Sequence, residues 1–280
     1  LTSLIAGIAT AVFFAFGTIA ASRASRILPA PHVVALSAAV AAIVVVPWAA
    51  IQGVPQLETY QLLLMLVSGV GNIFGFLCVY VALKHGKVGL VAPIVATEGG
   101  IAAAIASILG RSVEPLIGFV LLLIVIGILI SARSKDPDPF PGERPVLAAG
   151  FATLGACLFA LGLVSTGFLS GELPLAWVLL PARIVGLLLF TLPLLFLGRL
   201  RVTRQAFAWI LLLAAADLLG ISMYTIGAAQ NLPVTAVLAS QMAPLAAILA
   251  FFLFRERLGK GQIAGLIIMV GGVTLLALLQ

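Results

Sequence analysis

Apolar residues in this chain run in long blocks, not in the alternation of a half-buried strand or the single stripe of a surface helix. Ten blocks stand out, near 3–22, 32–52, 60–83, 88–109, 114–132, 147–168, 174–197, 205–229, 233–254 and 261–279. A hydrocarbon core of about 30 Å, crossed at about 1.5 Å per residue, needs about 20 mostly apolar residues. Each block therefore predicts one transmembrane helix, and the fold class expected is all-α integral membrane. The longest connection carries Pro137, Pro139 and Pro141 and reads as a stiff linker. It divides the chain into a first five-helix repeat over 1–132, a cytoplasmic linker over 133–146 and a second repeat over 147–280.

The two sets of blocks echo one another at an offset of about 145. Gly75 meets Gly220, Asn72 meets Asp217, and Phe16-Gly17 meets Leu161-Gly162. Five spans is an odd number, so the second copy has to enter the membrane upside down. Two inverted five-helix repeats around a central cavity are the architecture of many secondary transporters, with the solute site near the midplane.

Charge supports the inversion and orients it. The connections after spans 1, 3, 5, 7 and 9 carry Arg23 and Arg26; Lys84 and Lys87; Arg133, Lys135 and Arg144; Arg199, Arg201 and Arg204; Arg255, Arg257 and Lys260. The connections after spans 2, 4, 6 and 8 carry only Arg111. The positive-inside rule then puts the odd connections in the cytoplasm and both termini outside.

With 63% hydrophobic and 9% charged residues, and a mean hydropathy of +1.28, the chain is far from the roughly 25% charge of a soluble domain. The net charge of +6 comes from basic residues flanking spans, so nucleic acid is not an expected partner. No G-x-x-x-x-G-K-[ST] loop occurs, and ATP hydrolysis is not expected. Cys78 and Cys157 fall inside spans, and neither they nor His32 and His85 form a metal-ligand or redox spacing; no cofactor is implied. Arg23 and Arg26 follow the first block instead of preceding it, which argues against a cleavable leader.

Charges and amides deep in apolar blocks are the candidate chemistry, because each costs about 2.5–3.5 kcal/mol at mid-bilayer unless it faces a cavity or partner. Asn72, Glu98 and Asp217 sit near span centres. Asp217 and Tyr224 are two helical turns apart and share a face of the eighth span; Asn72 and Tyr80 lie on nearby faces of the third. Together they would offer carboxylate, amide and phenol groups to a zwitterionic, partly aromatic solute. Asp217 has an equally ordinary reading as half of a helix–helix ion pair with Arg183, a possible counter-ion. Glu98, beside Gly99 and Gly100, could instead be a protonated group buried in close packing. Gln241, with Ser240, lies one turn before Pro244 and is a further candidate for the lining. Pro93 and Pro244 interrupt the fourth and ninth spans and are candidate hinges or static bends. Gly71-x-x-x-Gly75 reads as a packing motif, and Phe13, Phe16 and Phe76 are candidates for aromatic walls.

The last third carries a family likeness. Leu232-Pro-Val-Thr-Ala-Val-Leu-Ala-Ser-Gln-Met-Ala-Pro244, Phe254-Arg-Glu-Arg-Leu258, Gly261-Gln-Ile-Ala-Gly265 and Gly271-Gly272-Val273 resemble the terminal helix pair of EamA-type transporters, in the drug/metabolite transporter superfamily. Val91-Ala-Pro93, Gly110-Arg-Ser-Val-Glu114 and Gly118 give a fainter version in the first half. The resemblance implies gradient-driven movement of small metabolites by alternating access between the halves. Within the superfamily the chain looks most like the bacterial aromatic amino acid exporters, which implies a bacterial inner-membrane location. Glu98 stands near the place of Pro244, and Arg111 near that of Glu256, so the halves are not expected to be chemically equivalent.

The function expected is a secondary-active or facilitative exporter of amino acids and related amphipathic metabolites, working as a monomer in the bilayer. The alternative is a proton-coupled drug or cation exporter of the same fold, in which Asp217 or Glu98 exchanges protons. An intramembrane enzyme is not expected, since neither H-E-x-x-H nor G-x-S-x-G occurs.

Overall fold

The computed structural model describes residues 2–98, 101, 105, 115–134, 139–170, 172–239, 241–255 and 258–278. Arg111, Glu114, Lys135, Ser240, Glu256, Arg257 and the Gly99-Gly100 pair lie outside them. All regular structure among the described residues is helical, as a bilayer demands of a chain whose backbone groups have no water to bond. The helices are α1 (Thr2–Ile27), α2 (Ala30–Ile51), α3 (Thr59–His85), α4 (Val88–Val95), α5 (Pro115–Arg133), α6 (Pro145–Ser170), α7 (Leu175–Gly186), α8 (Leu192–Phe196), α9 (Arg204–Ala239), α10 (Met242–Phe254) and α11 (Lys260–Leu278). A π-helical turn, Leu187–Thr191, joins α7 to α8. Among the described residues, six stretches are long and apolar enough to cross a membrane: α1, α2, α3, α6, Leu175–Phe196 and the first two-thirds of α9.

Local starts and stops recur at the 145 offset. Pro29 and Pro174 precede α2 and α7 with nearly the same backbone angles, φ −59° in each. Glu58 opens α3 in a capping box with Gln61, and the equivalent Thr203 Oγ1 accepts from Ala206 N at 3.2 Å ahead of α9. Gly53 and Gly198, also equivalent, turn the chain after α2 and α8 with φ of +77° and +63°, where a side chain would be strained.

One boundary departs from the sequence reading. The eighth and ninth blocks, expected to part near 230–232, are joined in the single helix α9, and the next described helix, α10, starts only at Met242 after a turn at Gln241, inside the expected ninth span. It puts Pro244 in the first turn of α10, where its missing N–H breaks no bond. The fourth block breaks at the equivalent point, Ala96-Thr97, two residues beyond Pro93. Both candidate hinges thus flank real breaks in their helices. At the far end of α10, Arg255 adopts φ +55° and terminates the helix, its N–H bonding Ala250 O.

The packing also repeats. α1 lies along α9, and α3 lies along α6. The offset turns α1 into α6 and α9 into α3, so these are one contact made twice. A Cβ on Gly75 would sit 2.6 Å from the ring of Phe159, and one on Gly220 would sit 2.5 Å from the ring of Phe14, its equivalent. Glycine lets each aromatic ring lie flush on the facing helix. α2 packs on its own counterpart α7, and α5 on its own counterpart α11, while α4 lies against α10.

The described odd-numbered connections gather at one end. There Arg23 lies 3.9 Å over the Phe254 ring, Arg26 lies 4.5 Å over Phe140, and Arg144 N donates to His85 O at 2.8 Å. At the other end Tyr60 Oη donates to Glu172 Oε2 at 2.5 Å, and Gln61 Nε2 donates to the same oxygen at 2.7 Å. These bonds, from Gln61 first and Tyr60 second, hold the Glu172 carboxyl below the usual carboxylate range. A small apolar cluster of Leu169, Leu173 and Val178, with Leu64, Met65 and Trp177 against it, lies beside them.

Candidate functional site

Between the halves lies a cavity of about 190 Å³ walled by α1, α3, α4, α6, α7, α9 and α10. The two-turn spacing on α9 brings Asp217 and Tyr224 to it together. From α3 come Ser68, Asn72, Phe76 and Tyr80; from α7, Arg183. Glu98 reaches it immediately after the break at Ala96-Thr97, so the interruption of the fourth block delivers a carboxylate to the centre of the molecule.

Arg183 and Asp217 form an ion pair, Nη2 to Oδ2 at 2.5 Å, with side chains 8% and 22% exposed. Arg183 is buried and Asp217 half-buried, so removing either partner alone would strand the other's charge. Ala38 occupies the place equivalent to Arg183 on α2, so the first half has no such cation. Asn72, equivalent to Asp217, turns back on its own helix: Nδ2 donates to Ser68 O at 2.8 Å. Ser68 Oγ in turn meets Thr166 Oγ1 of α6 at 2.9 Å. Gly162 leaves room for this amide, because a Cβ there would lie 2.7 Å from Asn72 Nδ2.

Two polar regions follow. Tyr80 shares a small side recess with Arg183 and Asp217, while Tyr224 stands two helical turns from Asp217 along α9. Asp217 and Tyr224 are about 10 Å apart along α9 at 1.5 Å per residue. Glu98 has no hydrogen bond to a described residue. An aromatic wall stands nearby: Phe76 stacks on Tyr80 with centroids 5.7 Å apart and meets Phe159 edge-on at 5.0 Å. Phe14 of α1 also lines the cavity.

Asn72, Tyr80, Glu98, Asp217 and Tyr224, with Arg183, therefore share one cavity. Gln241 does not line it: at the break ahead of α10, its Nε2 lies 3.5 Å from Thr274 Oγ1 on α11. Of the aromatic candidates, Phe76 lines the cavity but Phe16 is exposed and Phe13 is not in the lining. Phe14 and Phe159 also line the cavity, although nothing within their own apolar blocks singles them out. Their signal was available in the 145 offset, which pairs them just as it pairs Gly75 with Gly220. A larger depression, about 730 Å³ along Arg144–Leu154, is almost wholly apolar and touches none of these groups.

Residues 1–133 match the EamA-like transporter family. The match ends where α5 ends, at Arg133. A solved crystal structure, described only as "Crystal structure of protein", superposes with a TM-score of 0.64 over 99% of this chain and 96% of its own, at 16% identity. That likeness extends to the fold of both halves. No curated protein shows significant similarity to the chain. The apolar helices and the EamA-like match together make this a multi-pass membrane protein.

Proposed function

We propose that the chain is a secondary transporter that exports amino acids and related amphipathic metabolites from the cytoplasm by alternating access. The observation that carries this reading is the cavity itself. It lies between the halves, it is lined by an acid, an acid–base pair, an amide and two phenols, and it has an aromatic wall. A zwitterion with an aromatic side chain matches all of these features. The volume of about 190 Å³ falls below the roughly 300 Å³ at which pockets for drug-sized molecules begin, which favours a small metabolite. The lining holds neither His nor Cys, so Ser68 and Thr166 have no imidazole to activate them, and transport is favoured over catalysis.

In this reading the chain is organised as five-helix repeats over 1–132 and 147–280, working as a monomer in a bacterial inner membrane with both termini outside. Asn72, Tyr80, Glu98, Asp217 and Tyr224 contact the solute, while Pro93 and Pro244 mark where the broken helices flex. The breaks at Ala96-Thr97 and Gln241 support that assignment because they stand at equivalent positions beside the cavity.

Counterflow in proteoliposomes tests the reading. Unlabelled phenylalanine, tyrosine or tryptophan inside the vesicles should accelerate uptake of the labelled amino acid. Acceleration by lipophilic cations alone, dependent on a pH gradient, would establish the alternative of a proton-coupled cation exporter. The feature favouring that alternative is Glu98, a carboxyl facing the cavity without a hydrogen bond to any described residue.

A further inference from the structure

The Arg183–Asp217 pair is half made. A guanidinium and a carboxylate can form two parallel hydrogen bonds, but here one contact joins Nη2 to Oδ2. Arg183 Nε is buried and has no partner, and Asp217 Oδ1 accepts no hydrogen bond from a described side chain. A buried donor left unused is unfavourable unless something else comes to occupy it. Arg183 is 7% exposed, Asp217 is the more open of the two, and both line the cavity.

We propose that this pair is the head-group site for an α-amino acid, and that the two side chains stand in for the solute while the site is empty. The solute carboxylate accepts from the Nε edge of Arg183, and the solute ammonium donates to Asp217. Both the pair and the zwitterion are neutral, so their exchange leaves the buried charge unchanged. A cation without a carboxylate would strand Arg183, and an acid without an ammonium would strand Asp217, each an uncompensated charge in a poorly solvated place. Selection for zwitterions thus follows from charge matching. The aromatic wall of Phe76 and Phe159 lies on the same cavity, positioned to take the solute side chain.

This inference rests on the amino acid reading above and adds to it a specificity-determining role for Arg183. The test compares phenylalanine, phenylalanine amide and 3-phenylpropionate by binding to the purified protein in nanodiscs and by counterflow. Wild type should bind phenylalanine in preference to both analogues. Arg183→Gln should weaken phenylalanine by at least about tenfold, the scale of one lost hydrogen bond to a charged group, while the amide binds as well as before or better because the guanidinium it would strand is gone. Asp217→Asn should weaken phenylalanine and the amide and spare 3-phenylpropionate. Should either single variant fail to fold, the neutral double variant Arg183→Gln/Asp217→Asn removes both charges and should lose the preference for the zwitterion. Equal weakening of phenylalanine and its amide by Arg183→Gln, or a preference retained by the double variant, would overturn the head-group site and leave amino acid export standing. Failure of wild type to bind or exchange any amino acid would overturn both.

Discussion

Asn72 and Asp217 hold equivalent places on α3 and α9, yet one bonds back to its own helix and the other reaches across to Arg183. Around them the halves agree closely: Phe159 covers Gly75 as Phe14 covers Gly220, and the turns at Gly53 and Gly198 share one conformation. The frame repeats because packing depends on shape, and small residues opposite large ones satisfy it from either direction. The polar site does not repeat, since Asn72 stands in the place of Asp217 and Ala38 in that of Arg183. Even the ties between halves differ in this way. Trp177 Nε1 donates to Gly53 O at 2.8 Å at one end, and at the other the equivalent ring is His32, whose Nε2 lies 3.0 Å from Arg199 O.

The comparison breaks most sharply at its two central residues. Asp217→Ala should destabilise the protein by about 3–5 kcal/mol by leaving Arg183 buried and unpaired. Asn72→Ala, which removes one hydrogen bond to the chain, should cost about 1 kcal/mol. Thermal unfolding in detergent at constant lipid content measures both; equal losses would mean that the halves are balanced after all.

The frame predicts equality instead. Gly75→Ala and Gly220→Ala each force a methyl against a phenyl ring and should each cost about 1–3 kcal/mol, with similar shifts in unfolding temperature. A large effect at one site alone would show that the two contacts do not carry the same load. Replacing Trp177 or His32 with Phe should have a smaller effect, on the order of 0.5–1 kcal/mol each, because each loses a single hydrogen bond at the surface.

The mildest test concerns pH. Glu172 is held below the ordinary carboxylate range by Gln61 and Tyr60, and the equivalent of Glu172 at the opposite end is Ile27. A depressed carboxyl stabilises the folded form above its unfolded pKa of about 4.3 and loses that contribution as pH falls through its folded value. The contact should therefore be constant from pH 5 to 8 and weaken only in stronger acid. Hydrogen–deuterium exchange over 57–64, compared with Glu172→Gln at each pH, should show wild type losing protection on acidification while the variant does not change. Loss of protection already at pH 6–7 would contradict the assignment.

Much of the site was legible from polarity alone. Asn72, Tyr80, Glu98, Asp217 and Tyr224 stand out in apolar blocks, and a polar group in hydrocarbon has few places to go besides a shared cavity. Gln241 obeyed the same logic, but α11 offered Thr274 as a different destination. The sequence contained both the ion-pair reading of Asp217 and the solute reading without choosing between them. The structure shows one bond made and one donor left over.

The sequence by itself determined the number and length of the apolar blocks, their segregated charge and the 145-residue echo. These follow from the thickness of the bilayer and the cost of carrying charge into it, and both act on each segment locally. Only the tertiary structure decided that Phe14 and Phe159, not Phe13 or Phe16, wall the cavity, and that the ninth block breaks at Gln241 and not near 230. It also decided that Arg183 meets Asp217 by one edge. Those outcomes depend on which helix lies opposite and at what rotation, which is fixed by glycines and rings far apart in the chain.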